Sequence, residues 1–160
     1  MGLVGSMDLT DNVMLRSYKK GGSFFADRKT PAELARKIVD ELEVVTPGLN
    51  IPLSRLSGGN VQKVLVGRET AGAPSLLMSA YAVRGLDINT THSIYSILNA
   101  QKDRGAAVIF VGEDLDVLLE LCDRILVLCA GKVSGVLDAR TAKKEEVGLL
   151  MTHLGEGAST

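Results

Sequence analysis

The residues with chemical potential gather in "LSRLSGGNVQKVLVGRE", residues 53 to 69. Ser57, Gly58 and Gly59 stand just before Val61, Val64, Leu65 and Arg68, whose spacing follows a helical period. A serine at this place caps a helix, and two glycines let the backbone come close to a ligand. Backbone N–H groups at a helix start attract anions, phosphate above all. The stretch therefore offers phosphate a hydroxyl and backbone amides. The groups that usually accompany such a contact are missing. No Gly-x-x-x-x-Gly-Lys-Ser/Thr loop occurs in the chain. The nearest string, "AGKVS" at 130 to 134, lacks the earlier glycine and falls in an expected hairpin. A nucleotide-hydrolysing site also needs a carboxylate at a strand end to hold Mg²⁺. The apolar run "LLMSAY" (76 to 81) ends in Ala80 and Tyr81. Neither binds Mg²⁺ or takes a proton from water, so the residues yield no catalytic group and no metal ligand.

The elements around this stretch are legible from pattern. Thr30-Pro31-Ala32-Glu33 reads as a Thr cap, a first-turn Pro and a Glu at the third position. Leu34, Ile38 and Leu42 then share one face of an amphipathic helix, either core or docking surface. Before it, "LTDNVML" opens a short helix at Thr10 or Asp11, and "KKGGS" (19 to 23) is a loop. "TPGLNIP" (46 to 52) is a second loop. From residue 74 the rhythm changes to apolar runs alternating with helical segments. Strands are expected at 76 to 81, 106 to 111, 125 to 130 and 133 to 137. Helices are expected at 88 to 103, closed by Gly105, at 114 to 122, and from about Thr141 to Met151. Uninterrupted apolar strands alternating with helices imply a parallel sheet covered on both faces. The last two strands, joined at Gly131-Lys132, read as an antiparallel edge hairpin. The class is α/β: a helical segment over residues 1–73, then a mainly parallel sheet with flanking helices over 74–160.

Composition narrows the function classes. The chain has 160 residues, 46% of them hydrophobic, enough for one domain with a real core. A net charge of −1 gives no electrostatic footprint for nucleic acid. No apolar run approaches the roughly 18 residues of a membrane span, and no signal-peptide pattern opens the chain. "MGLVGS" at residues 1 to 6 is either natural sequence or a cloning remnant. Cys122 and Cys129 have no partner cluster and fit reduced cytosolic thiols.

"LSGGNVQK" (56 to 63) resembles the signature sequence of the ABC transporter ATPases, and Asn60, Gln62 and Lys63 resemble its form in sugar and nucleoside importers. The remaining motifs follow in family order. "PSLLMSAYAVRGLD" (74 to 87) is similar to the Walker B strand and D-loop, best at Arg84-Gly85-Leu86-Asp87. "VIFVGEDLDVLLELCDRILVLCAGKVSGVL" (108 to 137) is similar to the switch strand, the helix after it and the closing hairpin. "EEVGLLMTHLG" looks like the C-terminal end of the nucleoside-importer type. The resemblance extends over nearly the whole chain from about Leu3. It implies a partial P-loop NTPase domain, the C-terminal part of the second, often degenerate, ATP domain of an importer.

The departures from that family are specific. The part carrying the P-loop, the adenine-stacking residues and the Q-loop is not in these 160 residues. Ala80 stands where the family has the Mg²⁺-binding Asp, Tyr81 where it has the catalytic Glu, and Glu113 where it has the switch His. Loss of a general base alone costs about 10²- to 10⁴-fold in rate. The resemblance also implies partners. Two ATP domains pack head to tail, and the signature of one faces the γ-phosphate held by the P-loop of the other. Leu56, Ser57, Gly58, Gly59, Asn60 and Gln62 would then serve an ATP bound mainly by a partner domain, with Gly85, Leu86 and Asp87 as the D-loop. This chain would hold no Mg²⁺. A membrane permease, and indirectly a solute-binding protein, complete the expected partners, at the cytoplasmic face of the membrane.

Plainer readings stand beside these. Asp87 caps the helix after it; Glu113 is a solvated helix-start carboxylate; Arg68 forms an ion pair or caps carbonyls; Tyr81 is core or interface filler; His92 and His153 lie on the surface. Two other functions fit the same motifs: a catalytic ATPase half completed by a P-loop on another chain, and a fragment of a chromosome- or repair-type ABC ATPase.

Overall fold

A computed structural model describes residues 2–16 and 28–152. The "KKGGS" segment and His153 lie outside the described residues. The chain divides into two compact units, one of the residues up to Leu77 with Ala82–Ile109, the other of Met78–Tyr81 with the residues from Phe110 on.

In the first unit, helix α1 (Leu9–Met14) starts one or two residues earlier than its sequence pattern implies. The cap is Asp8, whose carboxylate accepts the Asp11 N–H at 2.7 Å. Asn12 is fully buried and saturated: its Oδ1 accepts the Val4 N–H, and its Nδ2 donates to the carbonyls of Val4, Met7 and Asp8. Helix α2 (Lys29–Glu41) also begins ahead of its expected cap, with Arg28 rather than Thr30 at the cap position and no side-chain bond from Arg28. The correction has a simple cause. Pro31 becomes the third helical residue, where the N–H has no intrahelical acceptor in any case, so proline costs nothing there. The expected face is present: Ala35 and Ile38 are buried, and Leu34 and Leu42 pack on a core of Leu9, Val13, Leu53 and Val64.

A short 3₁₀ turn, Leu53–Arg55, leads into helix α3 (Gly58–Thr70). A Cβ on Gly67 would lie 2.8 Å from both Ile38 Cγ2 and Leu42 Cδ1, so this glycine lets α2 approach the α3 backbone directly. Arg68 is buried and makes both an ion pair and bonds to carbonyls, the two roles its sequence reading offered. It donates to the carbonyls of Asn12 (3.2 Å) and Gly2 (2.6 Å) and to Glu69, which also pairs with Arg16. Helix α4 (Ile88–Asp103) packs on α3 with Thr90, Ile94, Leu98 and Gln101 inward, and it stops before Gly105, whose φ of +90° needs a glycine.

Strands β1 (Leu76–Ala80) and β2 (Ala107–Val111) form a two-stranded sheet. Ala107 N–H donates to Ser75 and Tyr81 N–H to Val111, both at 2.9 Å, so the strands run parallel. In the second unit, helix α5 (Leu115–Leu121) is capped by Asp114. Strands β3 (Arg124–Cys129) and β4 (Lys132–Asp138) form an antiparallel hairpin, paired from Arg124↔Asp138 to Val127↔Gly135 and, after a register shift between Val127 and Leu128, from Leu128↔Val133 to Cys129↔Lys132. Its two-residue turn has positive φ at Ala130 and Gly131, the combination that matches strand twist. Helix α6 (Lys144–Thr152) covers one hairpin face, where Val147 joins Ile125, Val127 and Ala139.

The expected single sheet, buried on both faces, is not what forms. Among the described residues the strands make two separate pairs, and only β1–β2 is parallel. Alternate apolar residues of each strand are exposed: Leu76, Met78, Ile109 and Val111, and in the hairpin Leu126 and Leu128. A strand apolar on both faces requires two covering layers, and only one face of each is covered here. Cys122 and Cys129 are half-buried and in no disulfide.

Candidate nucleotide-facing site

Ser57 occupies the cap position of α3 in extended conformation (φ −64°, ψ 156°), as its place before the helix dictates. Its Oγ accepts from the backbone N–H of Asn60 (3.4 Å) and from Asn60 Nδ2 (3.0 Å). The hydroxyl proton is thereby left to an outside acceptor. Asn60 Oδ1 takes the Val45 N–H at 2.9 Å, and Lys63 Nζ donates to the Glu43 carbonyl at 3.3 Å. These bonds tie the loop after α2 to the start of α3. Ser57 and Gly58 are exposed; Leu56, Gly59, Asn60 and Gln62 are half-buried. The N–H groups of Gly58 and Gly59 belong to the first helical turn and have no acceptor within the helix.

A second helix start lies beside this one. Gly85 has φ +74°, a conformation glycine adopts without strain, and Leu86 N–H closes the turn on the Val83 carbonyl at 3.2 Å. Asp87 caps α4: Oδ1 accepts the Thr90 N–H at 3.0 Å and Oδ2 accepts the Thr90 hydroxyl at 2.7 Å. The Thr90 N–H and the Thr90 hydroxyl, in that order, hold the Asp87 carboxyl below the usual carboxylate range. Thr90 also faces Gly59: a Cβ there would lie 3.0 Å from Thr90 Oγ1 and 3.2 Å from Cγ2. The Ser57–Gly59 turn and the Gly85–Asp87 turn are thus brought together through Thr90. Pattern reading missed Thr90. Its distance of three residues from Asp87 was visible, but its contact with Gly59 is tertiary.

Of the remaining residues singled out by pattern, Ala80, Tyr81 and Glu113 belong to the other unit and His92 to the first. Ala80 ends β1 in an exposed position. Tyr81 is 51% exposed with φ 53°, so it is not core filler; the tight turn off the strand points it outward. Glu113 is exposed and precedes the Asp114 cap of α5. His92 lies on the surface, edge-on to Tyr95.

The donor set decides what ligand fits. The α3 start, with one hydroxyl and two backbone N–H groups, suits phosphate oxygens. It offers nothing to a base or a ribose. The β1 end offers Mg²⁺ no oxygen from Ala80, and among the described residues no group of three or more His, Cys, Asp or Glu is placed to hold a metal.

Solved structures share this arrangement of elements. The dimeric ATP-binding cassette MJ0796, in a post-hydrolysis state bound to ADP and Pi, superposes with a TM-score of 0.72 at 23% identity, over 88% of this chain and 60% of that one. An ATP-binding subunit of an ABC transporter matches with a TM-score of 0.72 at 22% identity, over 93% and 64%. The fold is therefore that of part of an ABC ATPase cassette. No protein-family model matches the chain. Curated relatives are closer in sequence. The ribose import ATP-binding protein RbsA of Rhodopirellula baltica is 38% identical over 147 residues, 91% of this chain and 29% of that protein. The nucleoside import ATP-binding protein NupA of Lactococcus lactis subsp. cremoris is 35% identical over 94% of this chain and 30% of that protein. The xylose import ATP-binding protein XylG of Moorella thermoacetica is 32% identical over 91% and 29%. The chain is homologous to a segment of these sugar and nucleoside import ATP-binding proteins, and it spans under a third of their length.

Proposed function

We propose that this chain is part of the ATP-binding subunit of a sugar or nucleoside importer and supplies the signature edge of a composite ATP site. The carrying observation is the exposed Ser57-Gly58-Gly59 helix start beside the Asp87 turn, within a cassette fold and a sequence without its own phosphate loop. ATP is held mainly by the P-loop of a partner ATP-binding domain packed head to tail. Ser57 Oγ–H and the N–H groups of Gly58 and Gly59 meet its γ-phosphate, and Gly85-Leu86-Asp87 lines the same edge. Mg²⁺ belongs to the partner's site. The helical segment, residues 1–73, passes closure to a membrane permease, and the 74–160 segment forms the ATPase core part. The complex works at the inner face of the cell membrane and receives solute from a binding protein. No helix among the described residues is long and apolar enough to cross the membrane itself.

The test uses the assembled importer. Ser57→Arg puts a long cation where hydroxyl and amides meet phosphate. Gly58→Asp adds a carboxylate facing phosphate oxygens, a like-charge clash in a low-dielectric cleft. Both variants are expected to cripple ATP-driven domain closure and solute uptake. The partner's ATP affinity should fall much less, since most phosphate contacts are its own. Near-normal closure and uptake in both would reduce the loop to a helix cap.

A further inference from the structure

The two glycines of the α3 start differ in their surroundings. A side chain at Gly58 would meet open space, whereas one at Gly59 would press on Thr90. Thr90 is buried, with 9% exposure, between the exposed Asp87 turn and the α3 backbone. Capping α4 needs only one Asp87 oxygen, the Oδ1 that takes the Thr90 N–H. The second oxygen takes the Thr90 hydroxyl, which fixes the threonine at χ1 and aims its Cγ2 and Oγ1 at Gly59.

We propose that Thr90 is a positioning residue that locks the start of α3 to the start of α4, so that the Ser57–Gly59 and Gly85–Asp87 turns move as one piece. The hydroxyl is held by a charged acceptor, which makes this bond stronger than one between neutral groups. Gly59 cannot shift toward α4 without meeting Thr90, and Thr90 cannot turn away without losing Oδ2. The depressed Asp87 carboxyl is consistent with both bonds being made to the ionised form. The lock involves one unit and no nucleotide. Only its use, holding two phosphate-facing turns in register, rests on the function proposed above.

Three variants separate the lock from simple packing. Asp87→Asn keeps an oxygen for the Thr90 N–H but replaces the charged acceptor by NH₂, which can only donate to the hydroxyl oxygen, a neutral and weaker bond of reversed direction. Thr90→Val keeps the shape and loses the hydroxyl. Thr90→Ser keeps the hydroxyl and loses the methyl group. The readouts, in the 160-residue chain at neutral pH, are the NMR shift of the Gly59 amide and the hydrogen exchange of Val61, whose N–H closes the first α3 turn on the Ser57 carbonyl. Asp87→Asn and Thr90→Val should each move the Gly59 signal and speed Val61 exchange about tenfold. The double variant should do no more than either alone. In the Thr90→Ser background Asp87→Asn should still act on Gly59, which keeps the test decisive if the valine variant folds poorly. A Gly59 amide indifferent to Asp87→Asn, or two effects that simply add, would overturn the lock. Neither result touches the composite-site reading, which stands or falls on Ser57→Arg.

Discussion

Glu69 is held by two arginines, Arg16 and Arg68. Burial alone would push its pKa up, but hydrogen bonds from Arg16 and Arg68 outweigh this and hold it below the usual range. A folded-state value below the unfolded one contributes stability that is fully present above pH ~4.3 and is lost as pH falls through the lowered value. Urea unfolding at pH 7 and near pH 3.5 should show this loss, and Glu69→Gln should lessen it. Arg68 matters more, because it also satisfies the carbonyls of Gly2 and Asn12. Arg68→Met leaves those carbonyls and a half-buried carboxylate without it and should cost about 3 kcal/mol in the same assay. A cost below that of an ordinary surface change would mean water replaces the guanidinium. At this scale the sequence was legible wherever the relevant partner is local. Ser57 and Asp87 are caps because a helix follows each, and both were readable. The carbonyls that Arg68 reaches lie 56 and 66 residues away, and Gly59 lies 31 positions before Thr90; no spacing rule announces such pairs.

Helices and strands were mostly legible, since hydrophobic period and breakers are encoded locally. Helix α4 spans the 88 to 103 read from pattern, and its Gly105 stop is the left-handed glycine that reading requires. The error at α2 shows the limit: Thr30-Pro31-x-Glu33 has a capping pattern, yet the helix extends back to Lys29. First-turn N–H groups have no intrahelical partner, so Pro31 fits either start. What pattern does not reveal is how closely two helices approach. Gly67 sits mid-helix, where Ala normally gains about 1 kcal/mol. Here the added methyl would meet Ile38 Cγ2 at 2.8 Å, an atom held rigidly by its own β-carbon. Overpacking of this kind costs about 1–3 kcal/mol. Gly67→Ala is therefore expected to lower the thermal midpoint, while Gly58→Ala, which meets nothing within 4 Å, should leave it equal or higher. Stabilisation by Gly67→Ala would show that α2 and α3 part easily.

On the scale of the whole chain, two consequences follow from what the strands lack. ATP turnover by these 160 residues alone should stay at background, and Ala80→Asp with Tyr81→Glu should not restore it, because a metal ligand and a base act only on a held nucleotide. Vanadate-sensitive turnover by the pure double variant would reveal a nucleotide site elsewhere. The second consequence is association. The sequence shows runs in β1, β2 and β3 that are largely apolar on both faces, which says that both faces favour burial but not what buries them. In β1 and β2 the uncovered face carries Leu76, Met78 (68% exposed), Ile109 and Val111. In the hairpin it carries Leu126 and Leu128 (64% exposed). Clustered apolar side chains of this kind drive contact with other molecules, and strands without a second neighbour add unpaired backbone groups to the same surface. The chain alone is therefore expected to self-associate as its concentration rises, with a mass by light scattering above the 17.0 kDa of one copy. Met78→Glu and Leu128→Glu each put a charge on one of these faces and touch neither the α3 start nor the buried cores. Each should shift association to higher concentration, and the pair should shift it further. A constant monomer mass across that range, with a cooperative melt, would show that these strand faces are stable in water.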